Sequence, residues 1–166
     1  MSYVEYEYFK KLYGSEISES DFNVLSFSAC RKIDYYTTGV DGIKKLRIAF
    51  PIEEEASESV KRCVCSLINL LNDIKKAERS ANDAIGYVQK EDGMLQGKVV
   101  TSISAGNEKT SYSVGSANAT LIGQAVSDMV VREKLLRDII KEYLSGVTDS
   151  NGVNLMYMGT YPCVRG

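Results

Sequence analysis

The residues of this 166-residue chain that could do chemistry are cysteines, carboxylates and lysines, because it contains no histidine. A serine or cysteine nucleophile therefore lacks its usual base, and no segment points to a lysine in that role. Cys30, Cys63, Cys65 and Cys163 show no C-x-x-C spacing, and a mixed zinc site would need the missing histidine. On a helix Cys63 and Cys65 lie about 200° apart around the axis, so they cannot share a metal there. Reduced thiols, buried or inert, are the expectation. The glycines form neither a phosphate loop nor a dinucleotide fingerprint, and no calcium-loop pattern occurs. The adjacent acids Glu53 to Glu55 suit the entry of a helix better than acid-base catalysis. No catalytic, cofactor-binding or metal-ligating residue is assigned, and the chain is not expected to be an enzyme.

Phosphate contact is the next chemistry to consider. Lys44, Lys45 and Arg47, or Lys75, Lys76 and Arg79, could meet a nucleic-acid backbone. Acidic residues are interleaved with them, no aromatic series accompanies them, and the formal net charge is −2. Solvated helix and connector surfaces account for these charges more simply.

The elements that would position such residues are mostly helical. Ser2 as N-cap, acids early, Lys10 and Lys11 late and Gly14 as a stop predict a first short helix. A second starts from Ser18 or Ser20, carries Phe22, Leu25, Ala29, Ile33 and Tyr36 at three- and four-residue intervals, and ends near Gly39. Pro51 makes 39–56 a connector. Val60, Cys63, Val64, Leu67, Ile68, Leu71 and Ile74 form the clearest helical stripe. Residues 80–98 are polar, punctuated by Gly86, Gly93 and Gly97, and read as a loop. Alternation from Val99 to Val114 around Gly106 and Asn107 predicts a β-hairpin. From about Asn118 the helical period returns, as one bent helix or as two meeting near Ser127 and Asp128, either of which could cap the second. The fold class expected is mainly α: a small helical bundle with one β-hairpin and an extended C-terminal arm.

The division expected is 1–152 as the helical domain and 153–166 as the arm. Beyond a stop at Ser145 and Gly146, the run Leu155, Met156, Tyr157 and Met158 has neither a helical nor an alternating polar face. Such a run needs cover, and a groove on another protein would supply it, with Tyr161 as a further anchor and Pro162 as a preset turn. The alternative cover is the chain's own bundle. No stretch approaches the roughly 20 apolar residues of a membrane helix, no N-terminal segment reads as an export signal, and no membrane is expected.

In the order of its parts the chain resembles the head-tail connector, or adaptor, proteins of tailed bacteriophages. The resemblance runs from YVEYEYFKKLYG through ISESDFNVLSFSACRKIDYYT and VKRCVCSLINLL to the Ser-rich SYSV and a last helix leading through YLSGV to LMYMG. It implies a structural protein without cofactor, assembled as a homo-oligomeric ring, expected to be a dodecamer, beneath the portal protein. The ring would lengthen the DNA channel, without sequence-specific DNA binding, and dock a stopper or tail-completion protein. The place implied is the virion neck, and the bacterial host cytoplasm during assembly. On that reading Leu155, Met156, Tyr157, Met158, Tyr161 and Pro162 bind a partner, while Ile103, Gly106, Asn107 and Tyr112 meet a neighbouring subunit or the channel. A DNA-binding helical packaging protein, such as a small terminase subunit, is the alternative.

Overall fold

The computed structural model describes residues 2–83, 85–89, 95–99, 103–105, 108–110 and 120–162. The fold is mainly helical. The chain divides into two compact units, one made of Met1–Asn72 with Glu133–Gly166 and the other of Asp73–Arg132. The expected boundary at 152 is therefore not where the chain divides: the C-terminal segment belongs to the first unit.

In the first unit α1 (Tyr6–Tyr13) starts at Glu5 rather than at Ser2. The Ser2 hydroxyl instead donates to the Val4 carbonyl at 2.6 Å and lies 2.8 Å from that of Ser26. Gly14 ends the helix at φ 77°, a left-handed conformation that a side chain would strain. Ser18 caps α2 (Glu19–Thr37), its hydroxyl accepting from the Asp21 N–H at 3.1 Å. The stripe anticipated on α2 is buried at Phe22, Leu25, Ala29 and Ile33, with Tyr36 partly covered. Phe22 meets the rings of Tyr6 and Phe9 at centroid distances of 5.3 and 5.5 Å, which fixes α1 on α2.

The connector holds a helix of one turn, α3 (Lys45–Ile48), and Lys45 is buried rather than solvated. The long helix α4 (Glu54–Asp83) carries the apolar stripe, with Val60, Cys63, Val64, Leu67 and Ile68 inaccessible. Cys65 is inaccessible too, although it lies off that stripe. Its side of the helix is covered by α1, where Tyr8 donates to Glu58 at 2.6 Å and the Tyr13 hydroxyl lies 3.0 Å from that of Ser66. Leu136, Ile140 and Leu144 of α6 (Met129–Leu144) complete the core. Gly146 stops the chain there at φ 82°.

The second unit contains the end of α4, two separate antiparallel ladders, α5 (Leu121–Ser127) and the start of α6. Strands β1 (Ile85–Gln89) and β2 (Leu95–Val99) pair Ile85 with Val99 and Gln89 with Leu95. This corrects the loop reading of 80–98: its glycines suggested a break, yet Ile85, Tyr87 and Val88 favour extended backbone. Strands β3 (Ile103–Ala105) and β4 (Glu108–Thr110) pair Ile103 with Thr110 and Ala105 with Glu108. A hairpin running unbroken from 99 to 114 is not what the described residues show, since Val99 belongs to the other ladder. Gly106, Asn107 and Tyr112 lie outside the described residues.

Of the two arrangements open for the last helical stretch, the chain adopts two helices. Asp128 has extended dihedrals, and its carboxylate accepts from the Val130 N–H at 2.8 Å. Arg132 ties this unit together, donating to the Ala125 carbonyl at 2.9 Å and to Glu78 at 2.5 Å. No helix among the described residues is long and apolar enough to cross a membrane.

Burial pushes the Cys63 thiol well up and the Cys65 thiol up to about 12, while burial and the bond to Glu58 push the Tyr8 phenol up to about 12. Acids with raised values hold their protons more tightly folded than unfolded. Their contribution is full below the ordinary values of 9.0 and 10.0, and it is lost as pH rises towards about 12. The thermal midpoint is therefore expected to hold to pH 9 and to fall from there upward. Cys30, Cys63 and Cys65 are expected to ignore a disulfide reagent at pH 8 until the chain is unfolded. Prompt labelling of the native protein at these positions would refute the burial.

Candidate docking site

The C-terminal segment after α6 is a fastened strap, not an extended arm. Asp149 begins it, its carboxylate accepting from the N–H groups of Asn151 and Val153 at 2.9 Å, so that 149–153 closes as a tight turn. The Leu155 N–H then donates to the Val147 carbonyl at 2.9 Å, and the Leu155 side chain enters the core with no exposed surface. Next the chain turns back across the loop after α2: Val40 N–H donates to the Met158 carbonyl at 3.0 Å, and Tyr161 N–H to the Asp41 carboxylate at 2.5 Å. The Tyr161 N–H, with that of Ile43, holds Asp41 below the usual carboxylate range. Gly39 is required by close approach, because a Cβ there would overlap the Gly159 carbonyl oxygen.

Lys45 secures the middle of the strap. Its ammonium donates to the carbonyls of Leu155 at 3.1 Å and Asn154 at 3.4 Å, and to that of Tyr157, whose ring centroid is 5.7 Å away. Burial lowers the lysine's proton affinity, and the fields of Asp149 and Asp41 restore part of it. A second clasp adjoins it. Asp34 of α2, itself buried, accepts from Arg47 Nε at 2.7 Å and from the Tyr3 hydroxyl at 2.5 Å.

These fastenings sort the six residues expected to bind a partner. Leu155 is withdrawn into the core, so it is no anchor for another protein while this fold holds. Met156 is half-buried against the same core, and Tyr161 is held by its hydroxyl, which donates to Asp149 at 2.6 Å. Tyr157 and Met158 are each 50% exposed, and Pro162 is exposed. The structure thus joins the first five to the bundle instead of gathering them for a partner. Ile103 lies in β3 of the other unit.

Met158 and Tyr36 form a shared wall between two adjoining grooves of about 520 and 450 Å3. Arg31 and Lys44 edge the first, Arg137 and Lys141 the second. No ion pair engages these four cations among the described residues. Sequence reasoning missed the grooves and Lys45 alike. The tetrapeptide Lys44-Lys45-Leu46-Arg47 signals charge, but one helical turn is too short for a period to tell which charge points inward. No group of three or more cysteines and carboxylates among the described residues is arranged to hold a metal ion.

Comparison with protein-family models, with curated proteins and with solved structures returns no match.

Leu155→Ala is expected to lower unfolding free energy by about 3 kcal/mol, the order for truncating a fully buried leucine. Lys45→Met keeps the stem but removes the donor from the Leu155 and Tyr157 carbonyls, with an expected cost of about 2 kcal/mol. Tyr157→Ser, half-exposed, should cost under about 1 kcal/mol. Urea denaturation checks all three; a Leu155→Ala variant as stable as the parent would mean the strap is not part of the core.

Proposed function

We propose that the chain is a non-enzymatic head-tail connector, or adaptor, which forms a ring of expected twelvefold order beneath the portal of a phage or prophage particle. In that position the ring lengthens the DNA channel and gives a stopper or tail-completion protein its docking surface. The observation that carries the reading is what folding leaves at the surface of the first unit. Cations without an ion pair among the described residues rim grooves walled by Tyr36 and Met158. Grooves with apolar walls and charged rims suit protein docking. The order of sequence segments supports the same reading along nearly the whole chain.

The arm in this reading is short. Everything up to Tyr161 is fastened to the bundle, so the portal-binding segment begins at the exposed Pro162. The segment from Ile103 through Gly106 and Asn107 to Tyr112 supplies a contact to the neighbouring subunit or to the channel. A packaging protein that binds duplex DNA is the second reading, favoured by the four unpaired cations. It demands an affinity that falls steeply with salt, as phosphate contacts release counterions.

Electron microscopy of the protein mixed with its portal is expected to show a ring of copies on the portal's channel axis. Removing residues 162–166 should abolish that docking and leave the melting temperature unchanged within a few degrees, because the fastenings at Leu155, Met158 and Tyr161 are kept. A truncated protein that docks like the parent overturns the arm assignment. A parent that leaves the portal bare while binding duplex DNA overturns the connector reading in favour of the second.

A further inference from the structure

The two grooves beside Met158 carry uncompensated positive charge. Of the nearby carboxylates, Asp34 is engaged by Arg47 and Tyr3 and Glu133 by Lys32 and Tyr36, while Asp138 and Glu142 of α6 are exposed and do not line either groove. Arg31, Lys44, Arg137 and Lys141 are exposed and have no carboxylate partner among the described residues. A bare anion would leave Met158 and Tyr36 in water, and a bare alkyl group would leave the cations unpaired. The fitting ligand has both parts, a large apolar side chain followed by carboxylates.

This chain carries such a segment. Ile52 is 84% exposed and runs into Glu53, Glu54 and Glu55, all exposed and without an ion pair among the described residues. Among the described residues, no other exposed large apolar side chain leads into a run of carboxylates. The segment is also held ready. Pro51 before it is buried, and Glu54 and Glu55 sit on the first turn of α4, so little chain entropy is lost on docking.

We infer that the Met158 grooves of one copy receive the Ile52 to Glu55 segment of a second copy of this chain. Ile52 packs on Met158 and Tyr36, and the glutamates face Arg31, Lys44, Arg137 and Lys141. Because two different patches meet, the contact is head-to-tail, and it closes into a ring when the rotation per step divides a full turn. This deepens the adaptor reading and rests on it only for the closed ring.

The test is charge exchange, read as mass by sedimentation of the full chain without portal. Arg137→Glu with Lys141→Glu reverses the groove, and Glu53→Lys with Glu54→Lys reverses the segment. All four positions are exposed, and far-UV circular dichroism shows whether each variant keeps the fold. The parent is expected to associate at low salt and to dissociate at about 1 M salt, where screening is nearly complete. Each variant alone should associate at least about tenfold more weakly, and an equimolar mixture should regain a one-to-one complex, since one native groove then meets one native segment. Ile52→Asp should weaken the parent's association without altering its fold. A parent that stays monomeric at about 100 μM, beyond the reach of a physiologically useful affinity, overturns the inference. So does a charge variant that assembles like the parent, or a mixture that remains monomeric. Binding of a short duplex DNA in place of self-association would assign the cations to phosphate and overturn it as well. Failure here with a ring still seen on the portal removes this contact alone, whereas self-association by a chain that ignores the portal removes the adaptor reading.

Discussion

The first unit depends on one buried ammonium. The segment after α6 crosses the bundle as irregular backbone, and irregular backbone under cover must find partners for its carbonyls. Lys45 supplies them, its Nζ donating to the carbonyls of Asn154, Leu155 and Tyr157. Taking a lysine out of water costs several kcal/mol unless its charge is compensated. The compensation comes from those carbonyl dipoles, from the Tyr157 ring and from the fields of Asp149 and Asp41. The cation and the strap are thus each tolerable only with the other. Leu155 can enter the core because Lys45 satisfies the backbone that carries it there.

The four residues of α3 distribute their side chains in four ways. Lys45 holds the strap, Leu46 enters the core, Arg47 grips Asp34 on α2, and Ile48 is left in solvent. A single turn of helix therefore links α2, the core and the C-terminal segment. The arrangement buries Lys45 and pairs the exposed Arg47 with Asp34, so of the basic run at 44–47 only Lys44 is left at the surface without an ion pair among the described residues. The positive surface that remains is assembled from distant parts of the chain: Arg31 from α2, Lys44 from the connector, and Arg137 and Lys141 from α6. That assembly makes the grooves beside Met158 a tertiary feature, and it is why the proposals of ring contact and portal docking attach to different parts of the same strap.

Much of the helical frame was legible in the residues. The stripe from Val60 to Ile74 and the one from Phe22 to Ile33 repeat over several turns, so the period identifies the face that must be buried. Ser18, Gly14 and Gly146 mark helix ends by local chemistry, through a hydroxyl acceptor in one case and a left-handed backbone in the others. The absence of histidine excluded a His-based nucleophile before any coordinates, because composition needs no geometry. Cys65 shows where periodicity stops. It lies off the stripe, and its burial depends on what packs on that side of α4, which no period reveals.

What the sequence determined by itself was therefore whatever depends on neighbours within a few residues: helix type, helix ends and the lack of a histidine base. The tertiary structure decided the rest, because it depended on which of two equivalent options a distant partner would complete. Lys44 and Lys45 are chemically the same and adjacent, yet one is in solvent and the other beneath the strap. Likewise Leu155 and Met158 belong to one apolar run, but only Leu155 reaches a core built from five helices, and Met158 is left on the rim. Local pattern measures the need for cover; only the fold specifies what provides it, since cover comes from residues a hundred positions away.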